Sequence, residues 1–114
     1  MQITLLHHDG GITIRVDERR LDAAIATTFK DRVRSLVSHA GEVVVLDLAP
    51  VEFLDSSGLG AIISIFKSMP AGRRLELVNL TPNVDRVFRL TRMDSVMTIR
   101  TQPAVPDQQA GTAE

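Results

Sequence analysis

Asp55-Ser56-Ser57-Gly58-Leu59-Gly60 is the stretch whose residue types and spacing could do chemistry. It stands between an acidic segment containing Glu52 and an apolar helical pattern, so it places two hydroxyls where a helix begins. First-turn amides have no intrahelical partners there, and the helix dipole adds partial positive charge. That environment favours an anion. Gly58 and Gly60 leave this helix end uncrowded, so another protein's backbone could approach closely. Asp and Ser are also preferred helix caps, and capping alone accounts for Asp55, Ser56 or Ser57. Capping and function are compatible, because an exposed cap serine can do both.

Other reactive groups form no constellation. A serine nucleophile needs a base within hydrogen-bond reach, and nothing in the pattern puts His7, His8 or His39 near Ser56 or Ser57. His7 and His8 are neighbours on a strand pattern and point to opposite faces, which makes a poor metal pair. His39 stands alone near a helix end. No Gly-rich Lys-Ser/Thr phosphate loop occurs. The expectation is a chain with no catalytic residues, no metal and no cofactor. Arg19-Arg20 and Arg73-Arg74 lie beside acids and read as solvated strand or loop ends.

The elements that must position the motif follow from periodicity. The 114 residues fit one domain with one hydrophobic core. Apolar residues are 44% and charged residues 24%, an ordinary balance for a globular chain. A net charge of −1 gives no basic stripe for nucleic acid. No cysteine is present, which removes disulfides and thiolate sites and suits a reducing compartment. No signal-peptide pattern opens the chain, and no window approaches the roughly 20 apolar residues of a membrane span. Cytoplasm is the expected location, with no membrane or nucleic-acid partner.

Ile3 to Leu6 and Ile12 to Val16 flank His8-Asp9-Gly10-Gly11, a hairpin pattern. Ile25, Phe29, Val33, Leu36, Val37 and Ala40 repeat at helical spacing, with Asp22 able to cap the start and Gly41 able to end the helix. Val43 to Leu48 is a β-branched apolar run suited to an interior strand. A second helix is expected from Ser57, with Leu59, Ile62, Ile63, Phe66 and Met69 inward and Ala61 and Ile65 off that stripe. On this reading Ile65 could be an exposed partner contact. Leu75 to Val78 is the next strand. Thr81-Pro82 opens a third helix with Val84, Val87, Phe88 and Thr91 inward. Val96 to Ile99 closes the pattern. The order β-β-α-β-α-β-α-β predicts an α/β fold: a central mixed sheet with parallel pairs and helices packed against it. Residues 1–100 are expected to form the domain, and 101–114, rich in Pro, Gln, Ala and Gly, a disordered tail.

Val43-Val44-Val45-Leu46-Asp47-Leu48 followed by Ser56-Ser57-Gly58-Leu59-Gly60 resembles the central signature of bacterial anti-sigma-factor antagonists, which are STAS domain proteins. The likeness continues through Leu75-Glu76-Leu77-Val78-Asn79-Leu80-Thr81-Pro82, Val84-Asp85-Arg86-Val87-Phe88 and Leu90-Thr91-Arg92-Met93-Asp94. It covers roughly residues 1 to 100. The resemblance implies a binding switch rather than an enzyme. In that family the unmodified antagonist binds an anti-sigma factor that is also a serine kinase, freeing a sigma factor. Phosphorylation of the serine after the motif aspartate, here Ser56, releases it, and a serine phosphatase reverses the step. The implied partner surface is Asp22, Asp55, Ser56, Ser57, Gly58, Leu59 and Gly60. Arg19-Arg20 departs from the family, which usually carries Gly-Glu before Leu-Asp.

The expected physics is local. A phosphate adds about −1.5 to −2 charges, on a surface expected to be negative already from Glu52, Asp55 and Asp22. Other readings within the resemblance are a STAS module for biofilm or motility control, or a subunit of a lipid-transport complex. From a different class, a nucleotide-binding domain lacks a visible phosphate loop. The chain is expected to be a monomer or a weak dimer.

Overall fold

The computed structural model describes residues 1–38 and 41–100. Ala40, His39 and the tail expected over 101–114 lie outside the described residues. Two antiparallel strands open the chain, β1 (Ile3–His8) and β2 (Gly11–Val16). They are joined at Asp9-Gly10, where Gly10 takes a left-handed φ of 85° that suits a tight hairpin. Next come a short strand β3 (Arg20–Leu21), helix α1 (Ala26–Val37), strand β4 (Val43–Asp47) and another short strand β5 (Phe53–Leu54). Helix α2 (Ser56–Lys67), strand β6 (Arg74–Val78), helix α3 (Pro82–Leu90), a 3-10 turn at Met93–Ser95 and strand β7 (Thr98–Arg100) complete the chain.

The main sheet runs β1-β2-β4-β6-β7, parallel throughout except for β1. Every β-α-β step moves the same way across the sheet. Right-handed crossovers in one direction must put all three helices on one face. The burial agrees. Ile12, Ile14, Val44, Leu46, Leu75 and Leu77 share that face and form one core with Phe29 and Val33 of α1, Ile62 and Ile65 of α2, and Val84 and Phe88 of α3. Each fully buried aliphatic or aromatic side chain contributes about 1.5–3 kcal/mol. The opposite face carries Arg15, Asp47, Arg74 and Glu76. There the buried Glu76 accepts from both Arg74 (2.9 Å) and Arg100 (2.5 Å).

Several local expectations are corrected. Asp22 does not cap α1: its carbonyl accepts from Ile25 N–H and Ala26 N–H at 3.1 and 2.9 Å, and its carboxylate accepts from Ala24 N–H at 3.1 Å. It folds the turn before the helix instead. α1 stops at Val37, short of Gly41. α2 starts at Ser56 rather than Ser57, and its inward arc is Gly58, Ala61, Ile62 and Ile65. Ile65 is fully buried, so it is no surface contact, whereas Leu59, Ile63, Phe66 and Met69 are only partly covered. α2 is apolar almost all round, so the packing of α1 and the sheet selects its buried side. Thr91 is exposed, and Val96 precedes the last strand with 51% of its surface open. The pair β3–β5 has no counterpart among the expected elements; strands of two residues are too short to show a period.

Candidate functional site

β3 and β5 run parallel beside the main sheet, pairing Leu21 with Leu54, and so bring the Asp22 turn against the start of α2. Asp55 locks that junction. As N-cap of α2, its Oδ1 accepts from Gly58 N–H at 2.9 Å, and its Oδ2 accepts from Ala23 N–H at 3.2 Å. One carboxylate thus satisfies an orphan amide of α2 and ties the turn before α1 to it. Asp22 and Asp55, distant in sequence, hold adjacent amides of the same turn.

Asp55 takes the capping role, and the two serines are left outside. Ser56 and Ser57 are both exposed, and the Ser56 hydroxyl has no hydrogen bond among the described residues. Leu59 is half-buried and Gly60 exposed. Gly58 differs from what its sequence neighbours suggest. It is buried, and a Cβ there would lie well inside contact with the Leu21 carbonyl oxygen and 2.9 Å from Leu54 Cδ1. Its missing side chain therefore serves the close packing of α2 on β3, not the approach of a partner. At Gly60 a Cβ would meet nothing within 4 Å.

The expected negative surface is largely compensated. Glu52 pairs with Arg19 at 3.0 Å and Asp22 with Arg20 at 3.4 Å. The Arg20 guanidinium also lies 4.3 Å from the centroid of the Phe53 ring, a half-exposed aromatic that no sequence pattern singles out. The Arg19-Arg20 departure thus neutralises the acids beside the serines. These pairs are exposed and each stabilises the fold by under about 1 kcal/mol, but together they set the local charge.

Beside the serines a cleft of about 360 Å³ separates α1 from α2, lined by Ala26, Thr27 and Lys30 on one side and Ser57, Gly60 and Ser64 on the other. Lys30 and Ser64 are not among the residues expected at the site. The available signal is the recurrence of the small residues Ser57, Gly60, Ala61 and Ser64 at i, i+3, i+4 and i+7.

Away from this site, His8 Nε2 lies 3.0 Å from Thr13 Oγ1, and among the described residues no cluster of His, Asp or Glu could hold a metal. Among them, too, no helix is long and apolar enough to cross a membrane. The parallel strands run in sequence order, so the sheet has no point where the winding reverses, the usual seat of a nucleotide in open α/β sheets.

The family profile of the STAS domain matches residues 2–107. An anti-sigma-B factor antagonist of Listeria monocytogenes is 32% identical over 82 residues, covering 70% of this chain and 71% of the relative. The crystal structure of an anti-sigma factor antagonist from Mycobacterium paratuberculosis superposes with a TM-score of 0.80 at 24% identity, over 93% of this chain and 88% of that one. The Bacillus cell fate determinant SpoIIAA in its phosphorylated form shares the fold with a TM-score of 0.67 at 20% identity, over 94% and 98%. With the exposed serines at the head of α2 and the singly wound sheet behind them, this chain belongs to the STAS domain family, among the anti-sigma factor antagonists.

Proposed function

We propose that this protein is a phosphorylation-controlled binding switch, and not an enzyme, acting in the cytoplasm. Unmodified, it docks an anti-sigma factor that is also a serine kinase. Phosphorylation on Ser56 releases it, and a serine phosphatase restores it. The observation that carries the reading is the exposed Ser56 at the first position of α2, relieved of capping by Asp55. The docking surface comprises Asp22, Ser56, Ser57, Leu59 and Gly60. Asp55 and the buried Gly58 support it from beneath.

A phosphate at Ser56 brings about −1.5 to −2 charges and three acceptor oxygens. The helix N-terminus stabilises that anion, so the fold tolerates it. A partner pressed against the same turn meets a charge that must be desolvated and opposed. Each 1.4 kcal/mol so lost weakens affinity about tenfold.

The test is to incubate the protein and its Ser56→Ala variant with ATP and a purified serine-kinase anti-sigma factor, and map phosphate by mass spectrometry. Phosphate confined to Ser56 and absent from the variant is expected. Affinity of Ser56→Asp for the same partner should fall at least about tenfold below wild type. Equal affinities, or phosphate elsewhere, would refute the reading.

A further inference from the structure

We propose that the cleft between α1 and α2 receives an acidic side chain of the docked anti-sigma factor, with Lys30 as its counter-charge; this rests on the switch proposed above. Three features converge on it. The cleft opens beside the modified turn, because Ser57 lines it and Ser56 precedes Ser57. Its walls are small side chains, and about 360 Å³ leaves room for a partner's side chain and the backbone that carries it. Lys30 is its one charged lining residue, half-buried, and its ammonium has no ion pair or hydrogen bond among the described residues.

The surrounding charges reinforce the choice of an acid. Arg19 and Arg20 are occupied by Glu52 and Asp22, and Asp55 is held by two backbone amides. Asp55 already occupies the N-terminus of α2, so Lys30 is the cleft's uncompensated charge, and it favours an anion there. A carboxylate with the Ser57 hydroxyl as a further donor suits it.

The arrangement also sharpens the switch. A phosphate on Ser56, one residue before the lining Ser57, adds negative charge beside the cleft and repels the partner's acid. Because Lys30 attracts the partner's carboxylate by charge, binding must weaken as salt rises.

Titration calorimetry against the same purified serine-kinase anti-sigma factor tests this, with thermal melts confirming that each variant is folded. Lys30→Glu should weaken binding at least about tenfold. Gly60→Leu should do so by filling the cleft, at a position where a Cβ meets nothing within 4 Å. Lys67→Glu makes the same change in net charge at the exposed far end of α2 and should leave affinity at the wild-type value. If Lys30→Glu binds like wild type while Ser56→Asp does not, the cleft assignment is wrong and the switch stands. If Lys30→Glu and Lys67→Glu weaken binding equally, the effect is one of net charge and the assignment is again wrong. If wild type binds no such partner, the switch fails and the cleft assignment with it.

Discussion

On the inner side of the first turns of α2, Gly58 is pressed against the Leu21 carbonyl and Asp55 holds two amides. On the outer side, Gly60 faces open space and Ser56 is exposed. The residue types are nearly the same, yet one side is fully constrained and the other is free. A modifiable surface needs both. For the proposed switch, a yielding underside would let a phosphate alter the fold, and a packed outer side would keep a kinase and a partner away.

Substitutions can break this contrast, and the largest effect belongs inside. Gly58→Ala should destabilise the fold by about 2–3 kcal/mol, because backbone of β3 must move to admit a Cβ. Urea denaturation measures it, and a neutral result would mean that the underside is soft. Asp55→Ala should cost about 1–2 kcal/mol by removing the cap and the tie to Ala23, while Asp55→Asn retains most of it. On the outer side the sign reverses. Gly60→Ala should stabilise by about 0.5–1 kcal/mol, since alanine suits a helix interior better than glycine and meets no neighbour. A loss of stability there would show the outer side to be packed after all. Ser56→Asp should move stability least, by about 0.3–1 kcal/mol in the favourable direction for an acid in a helix's first turn. A melting temperature held or raised together with lost binding would separate surface from core.

Much of this is legible in the order of the residues. Asp-Ser-Ser-Gly at the head of an apolar run marks a helix start, because capping is chemistry among residues three or four apart. The strand–helix alternation carries the sheet, since each main element is long enough to display its period. Orientation is what local patterns do not show. Ile62, Ile63, Ile65 and Phe66 crowd one helix, so periodicity cannot tell that Ile65 is buried and Phe66 only partly covered. The pairing of Arg19 with Glu52 and the stacking of Arg20 on Phe53 join positions far apart along the chain. The expectation of a negative surface therefore counts acids without their partners.

The order of the main elements and a helix start at the Ser56-Ser57 pair were determined by sequence alone, because period and capping act over a single turn. Which glycine carries the packing, which charges remain uncompensated and where a cleft opens were decided by tertiary structure. Those properties exist only once β3 pairs with β5 and α1 lies beside α2, contacts between residues that no local pattern relates.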